Sequence, residues 1–282
     1  MILLTGVTGR VGGACARQLQ IDGVPMRALG RGEAPPEGFQ GEWVQGDLRD
    51  SGSVARAFPG ISKALLVAPN TEDQVAIECG FADQAAEAGV DLLLKVSSTE
   101  VGPDVTAPFP AAHYAIEQHI EGLGVPACML RPDFYYQNLL MSAAGIKAAG
   151  VFRYPFGDAA VAPVDAREVG EAAARVLAGN GHAGQAYTLT GPALLDFHQV
   201  ASQMSEGLGR EIRYEAQDPD AYRTFLAGII PDAWHAEAVC TLFDEIREKH
   251  RSAHSDALAQ LLGREPKSVA AFAAEHAAAF NP

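Results

Sequence analysis

Short apolar runs alternate, over the first half of the chain, with stretches whose apolar positions recur at helical spacing. The runs fall at 2–5, 25–30, 42–46, 63–68, 91–97 and 127–131, and the helical patterns at 12–21, 51–58, 72–89 and 111–123. Runs such as 64–68 (Ala-Leu-Leu-Val-Ala) and 92–94 (Leu-Leu-Leu) are apolar throughout. That suits strands buried on both faces of a parallel sheet, where both side-chain directions meet helices. Strand–helix alternation of this kind predicts a doubly wound α/β fold. Beyond residue 132 the rhythm changes. Asp165-Ala-Arg-Glu168 reads as a capping-box start for a helix reaching 178. A strand follows at 186–190, a helix at 197–208 and a short strand at 212–215, and from 220 the pattern is mainly helical. The division predicts a sheet domain over 1–132, with part of 160–190 returning to it, and a smaller, mainly helical lobe over 133–282 on the carboxyl edge of the sheet.

Composition narrows the class. A chain of 282 residues that is 48% hydrophobic has ample material for a packed core. A formal charge of −14 argues against nucleic acid or an anionic membrane as partner, because phosphate binding needs clustered Lys and Arg. The four cysteines, Cys15, Cys79, Cys128 and Cys240, form no CxxC pair and stand near no histidine at metal spacing. They read as reduced thiols of a cytoplasmic protein, and no metal is expected. The opening run Ile2-Leu3-Leu4 is too short for a signal segment. No apolar stretch approaches the ~20 residues of a membrane span.

The first strand leads into chemistry. It continues Thr5-Gly6-Val7-Thr8-Gly9-Arg10-Val11-Gly12-Gly13, with a helical pattern directly after. Gly6 permits a sharp turn off the strand, Gly9 lets main chain approach a pyrophosphate, and Gly12 lets the helix sit close to the strand. Thr8, Arg10 and Val11 complete the loop, and the helix N-terminus offers free N–H groups to phosphate. This is the dinucleotide-binding pattern of a Rossmann sheet. An NAD-preferring site places Asp or Glu at the end of the second strand. Here that strand ends Gly30-Arg31-Gly32, without an acid. Gly30 is expected to leave room, and Arg31 and Arg10 to meet a 2′-phosphate, so NADP(H) is the expected cofactor. Asp47-Leu48 after the third strand falls where adenine contacts are common, and Ala68-Pro69 after the fourth beside the ribose. Both also read as ordinary turns.

Taken together, these residues resemble the atypical short-chain dehydrogenases of the NmrA-like group over nearly the whole chain. The signature T-G-x-T-G-x-x-G stands at Thr5 to Gly12, and a basic residue after the second strand at Arg31. A segment H-x-x-x-E, then G-V-P, an apolar strand and R-P, stands at His113, Glu117, Gly124-Val125-Pro126 and Arg131-Pro132. Phe134-Tyr-Tyr-Gln-Asn138 and the region from Tyr187 to Gly191 also fit, and the subgroup they resemble is the bacterial quinone oxidoreductases and triphenylmethane dye reductases. The resemblance implies that the amino-terminal half binds NADP(H) and that the second half closes a cleft over the nicotinamide. Some members of the group bind NADP(H) without turnover and act as redox sensors on a protein partner.

Typical short-chain dehydrogenases carry Ser and Tyr-x-x-x-Lys, whose lysine helps the phenol pass a proton to a carbonyl. Tyr114 has Gln118 four residues on instead. His113 stands where many relatives have Lys. It reads either as the proton donor of the nicotinamide cleft or as a helix-face histidine bonded to Glu117. Ser97, in Ser97-Ser98-Thr99 after the fifth strand, reads as cleft-lining or as a turn cap. Phe134, Tyr135 and Tyr136 follow the sixth strand where ligands bind in open α/β sheets. With Asn138, Phe152, Tyr154, Phe156, Phe225 and Trp234 they offer either an aromatic wall for a flat substrate or core packing. The expected activity is NADPH-dependent hydride transfer to a quinone-like or other conjugated aromatic acceptor. A non-catalytic sensor and a reductase of an enone or imine intermediate remain alternatives. Without a lysine beside the phenol, plain ketones should react slowly. An oligomer is compatible with the sequence, and Gly228 and Pro231 would let residues 220–262 bend as a lid.

Overall fold

The computed structural model describes residues 1–249 and 252–282. Seven strands form the main sheet: β1 (Ile2–Leu4), β2 (Met26–Gly30), β3 (Glu42–Gln45), β4 (Lys63–Leu66), β5 (Leu92–Val96), β6 (Ala127–Pro132) and β9 (Ala186–Leu189). Their order is β3-β2-β1-β4-β5-β6-β9, and every pairing is parallel. The expected doubly wound α/β sheet is therefore present. Helices α1 (Arg10–Ile21) and α6 (Ala166–Ala178) pack together on one face. Helices α2 (Ser51–Ala57), α3 (Gln74–Glu87) and α4 (Pro108–Leu123) cover the other.

The alternation of side chains explains the apolar runs. Ile2 and Leu4 enter the core beneath α1 and α6, while Leu3 enters the core beneath α2 to α4. In β5, Leu92, Leu94 and Val96 take the first face and Leu93 the second. Lys95 shares the parity of Leu93, so it points toward α3 and α4 in the interior and is fully buried.

The second part has its own core. A 3₁₀ segment (Tyr136–Ser142), α5 (Ala143–Ala149), α7 (Phe197–Leu208), α8 (Pro219–Ile229), α9 (Ala233–Lys249), α11 (Val269–Glu275) and α12 (Ala277–Phe280) surround it. Helix α10 (Ala257–Leu262) instead packs on α6. Two small pairings stitch the lobe: β7 (Val151–Tyr154) beside β11 (Arg213–Ala216), parallel, and β8 (Ala160–Val161) against β10 (Leu195–Asp196). Phe152 and Tyr154, read above only as aromatic candidates, are therefore strand residues whose partners lie about 60 positions on, from Arg213 to Ala216. Residues 250 and 251, within the 220–262 stretch, lie outside the described residues.

Two helix starts sharpen the sequence reading. Helix α4 begins earlier than its apolar pattern because Pro108 occupies its first turn, where the missing N–H costs nothing. Asp165 caps α6 by accepting from Arg167 N at 2.9 Å. Glu168 does not close a capping box, because its carboxylate turns to Arg264 and to Lys267 N. The complete box stands at α7, between Asp196 and Gln199. Among the described residues no helix is long and apolar enough to cross a membrane, and no cluster of metal-binding side chains forms.

Candidate active site

The loop between β1 and α1 is shaped by close main-chain contact. Thr5, fully buried, accepts from Val67 N at 2.8 Å and donates to Val67 O at 2.9 Å, tying the ends of β1 and β4 together. Gly6 then turns at φ +64°, a left-handed conformation that favours glycine. A Cβ on Gly12 would lie 2.4 Å from the Gly6 carbonyl oxygen. Helix α1 starts with Gly9 as its N-cap and no side chain bonded to its first turn. Its leading N–H groups therefore face the adjoining cavity, and Gly6, Thr8, Gly9, Arg10, Val11 and Gly12 all line that cavity. This is a cradle of bare main chain and helix dipole suited to a pyrophosphate.

The cavity measures about 720 Å³ and runs from this loop past Val67, Ala68, Pro69 and Asn70 to Ser97, His113 and the second lobe. Arg31 is exposed, and Asp47 and Leu48 are half-buried; none of the three lines it. Asp47 accepts from Arg49 N at 2.9 Å, and Leu48 packs on the core beneath α2 and α3. The space expected at Gly30 is filled. A Cβ there would lie 2.2 Å from the Trp43 ring, whose Nε1 donates to Gly32 O at 3.0 Å. An acid at position 30 would have to displace the Trp43 ring.

At the other end of the cavity the groups are side chains. His113 lies on the buried face of α4, in register with Phe109, Ile116 and Ile120. Lys95 Nζ stands 3.0 Å from His113 Nδ1, 2.8 Å from Val96 O and 2.5 Å from Glu78 Oε2. Gln74 Nε2 bonds Glu78 Oε1 at 2.8 Å and lies 3.4 Å from the same His113 nitrogen. Lys95 and Glu78 have no exposed side-chain surface. Burial, and after it the charge of Lys95, push the His113 imidazole well below its ordinary range, so it is neutral at pH 7. The absence of a lysine from the Tyr114 motif thus does not leave the site without one. It comes from β5, through the core, to a histidine rather than a tyrosine. Glu117 is not a partner of His113, because it pairs with Arg131 at 2.5 Å. Tyr114, one residue along α4, does not line the cavity. Ser97 does, and its buried Oγ has no hydrogen-bond partner among the described residues.

Two acids stand nearby in the lining. Glu100 accepts from Ser98, and Asp133 accepts from Phe134 N at 2.6 Å. Burial, then the neighbouring Asp133, pushes the Glu100 carboxyl up to about 7, and burial raises Asp133 as well.

The aromatic candidates separate. Phe134 and Tyr154 line the cavity and also belong to the core of the second lobe, where Phe134 meets Phe156 and Phe197 edge-on at 6.0 and 5.6 Å. Tyr135 and Asn138 line the cavity too, and Asn138 O accepts from Tyr154 Oη at 2.9 Å. Tyr136, expected against substrate, is instead core. It is 1% exposed, donates to Lys267 O at 2.8 Å and packs on Phe272. Trp234 lies outside the lining, edge-on to Phe109 at 5.7 Å, while its neighbour His235 faces the cavity with Nδ1 3.3 Å from Asn70 O. The far wall comes from Tyr222, Leu226 and Ile230 of α8 and its end, and from Val239, Leu242, Phe243 and Ile246 of α9. None of these α8 and α9 residues, nor Lys95, Glu78, Gln74, Phe109, Glu100 or Asp133, was among the sequence candidates. One signal for Lys95 was present: a lysine inside the apolar run 91–97.

Comparison with known proteins shows the chain's relatives. An NAD(P)H azoreductase of Xenophilus azovorans is 32% identical over 100% of this chain and 99% of its own length. A (4-alkanoyl-5-oxo-2,5-dihydrofuran-3-yl)methyl phosphate reductase of Streptomyces griseus subsp. griseus is 36% identical over the full length of both. The solved structure of the Citrobacter sp. triphenylmethane reductase with NADP(H) shares the fold. Its TM-score is 0.85 at 24% identity, covering 98% of this chain and 100% of that one. The family model described as the NmrA-like family matches residues 1–273, and the chain belongs to that family.

Proposed function

We propose that this protein transfers hydride from NADPH to a flat, conjugated small molecule of the quinone, azo or enone type. It is an NAD(P)H-dependent oxidoreductase, and its full-length relatives include an NAD(P)H azoreductase and a second reductase. Residues 1–132 hold the cofactor, with Gly6, Thr8, Gly9, Arg10, Val11 and Gly12 at the pyrophosphate, Arg31 and Arg10 at the 2′-phosphate, Asp47-Leu48 at the adenine and Ala68-Pro69 at the ribose. Residues 133–282 supply the wall against the acceptor. The observation that carries this reading is the single cavity joining a bare main-chain phosphate cradle to His113 and a wall of Phe134, Tyr154 and Phe243.

When bound, the nicotinamide supplies the hydride. Ser97 Oγ, buried without a partner among the described residues, is placed to bond a polar group of cofactor or acceptor. His113 stands at the proton side. The walls of α8 and α9 exclude water, so the acceptor is held in a site of low dielectric. The phenols that line the cavity, Tyr135, Tyr154 and Tyr222, are all pushed up by burial, and Tyr114 lies outside it. The chemistry therefore favours acceptors that spread the arriving charge over a conjugated system. The azo and furanone groups in the relatives' names support that class.

The test is anaerobic oxidation of NADPH over a benzoquinone, a naphthoquinone, an azo dye, an enone and a plain ketone, followed at the nicotinamide absorbance. Turnover with the conjugated acceptors and none with the ketone is expected. Arg31→Ala should raise KM for NADPH about tenfold and leave KM for NADH unchanged, as loss of one charge-assisted phosphate contact would. Tight NADPH binding with no oxidation of any acceptor would overturn the reductase reading in favour of a sensor.

A further inference from the structure

A lysine with no exposed surface, in the middle of an apolar strand, is costly to bury, and this one spends its third contact on a histidine that lines the cavity. An ammonium carries only donor hydrogens, so the bond to His113 requires Nδ1 to accept. Gln74 agrees. Its amide orientation is set by Glu78 Oε1, which must receive a hydrogen, so Nε2 also faces Nδ1 as a donor. With the ring neutral, its one proton then sits on Nε2. The groups facing His113 are Lys95 of β5, Gln74 and Glu78 of α3, Phe109 of its own helix and, through Phe109, His235 of α9. Glu117 on its own helix is engaged by Arg131, and Glu100 stands in the same cavity lining.

We propose that Lys95 is a buried proton relay that holds His113 as an Nε2–H donor and resupplies its proton during reduction of the acceptor. The proposal deepens the reductase reading and rests on it for the turnover step. After hydride reaches one end of the conjugated acceptor, negative charge collects on the oxygen or nitrogen at the other. The Nε2–H bond of His113 breaks and that proton goes to the charged atom. An N–H bond of Lys95 breaks as a new Nδ1–H bond forms, so the imidazole stays neutral with its tautomer reversed. Lys95 is left as an amine held by Val96 O and Glu78, and the carboxylate of Glu78 keeps its bond to Gln74. Once product has left, water in the cleft returns one proton through His113 Nε2 and Lys95 regains its charge. The sum is one hydride from the cofactor and one proton from solvent. A neutral imidazole is too weak an acid to do this alone, and the adjacent ammonium removes the need to form an imidazolate.

The experiment uses nitrogen-15 NMR of the eight histidines in full-length protein, with His113→Gln to assign the signal. Wild type should show His113 as the neutral Nε2–H tautomer at pH 7. Lys95→Met alone would strand Glu78, so the informative variant is Lys95→Met with Glu78→Gln, checked for folding by circular dichroism. There His113 keeps only the longer 3.4 Å contact from Gln74, so the Nε2–H tautomer should lose population, and conjugated-acceptor turnover should fall about 100-fold. In mixtures of H₂O and D₂O the wild-type rate should bow, as for two protons moving together, and the double variant should not. An Nδ1–H or doubly protonated His113 in wild type, or a double variant with unchanged tautomer and rate, would overturn the proposal. A linear isotope response in wild type would also overturn the relay. If no acceptor oxidises NADPH, the reductase reading fails by itself, while the tautomer measurement still decides whether Lys95 sets His113.

Discussion

At the glycine loop half of the lining residues are glycines, with the open N–H groups of α1 and the close approach of Gly12 to the Gly6 carbonyl, and Thr8, Arg10 and Val11 complete it. At the His113 end the functional atoms belong to side chains from three elements, with Glu78 from α3, Lys95 from β5 and His113 from α4. The difference is one of construction. A main-chain cradle depends on small residues at fixed local spacing, and little else in the protein has to be right for it to form. A buried side-chain cluster depends on charges that compensate one another across the core. Removing one member leaves another without a partner, in a place where water cannot replace it.

The largest expected effect breaks the second region. Lys95→Met alone should cost about 3–5 kcal/mol in chemical denaturation, because it leaves the Glu78 carboxylate buried and unpaired. Adding Glu78→Gln should recover most of that loss. If the single and double variants are equally unstable, the Lys95–Glu78 pair is not what the core depends on there.

An intermediate effect is expected at the first region. Gly12→Ala forces a Cβ against the Gly6 carbonyl and should cost about 1–3 kcal/mol of stability. Its sharper consequence is for the ligand, since the displaced loop should bind NADPH at least tenfold more weakly by fluorescence titration. A variant that lost stability and kept its NADPH affinity would show that the loop does not hold the phosphates.

The smallest effect separates the two regions by pH. His113 has its proton affinity lowered by folding, so the unfolded chain takes up the proton first as pH falls below about 6.5. Its contribution to stability is complete above that pH and is lost as the pH drops further. Glu100, raised to about 7, acts in the opposite sense, losing stability as pH rises from about 4.5 toward 7. Comparing wild type with His113→Gln cancels Glu100. Between pH 6 and pH 5 wild type should lose up to about 1.4 kcal/mol more than the variant. Parallel stability curves for the two proteins would mean that His113 is not held neutral.

Legibility followed the same division. Apolar runs such as 92–94 announced a two-faced parallel sheet because each strand meets helices on both sides. The glycines at 6, 9 and 12 announced the turn because their roles are set by neighbours within a few residues. The pairing of β7 with β11 was not legible, since four-residue strands about 60 positions apart leave no local period. Gly30 looked like open space because nothing nearby in sequence reveals that Trp43, on the next strand, lies over it. Tyr136 and Tyr154 look alike in sequence, yet only Tyr154 reaches the cavity, while Tyr136 is sealed beneath Phe272.

The amino-acid sequence by itself determined the class of sheet, the glycine turn after the first strand and the lack of an acid at the end of the second strand. Each of these is written in local spacing and residue size. Only the tertiary structure decided what His113 touches. Lys95 reaches it because β5 alternates its side chains between faces and places position 95 toward α3 and α4. Glu78 reaches Lys95 because α3 turns that face inward. Such a meeting is made by packing between distant segments, and no window of sequence contains it.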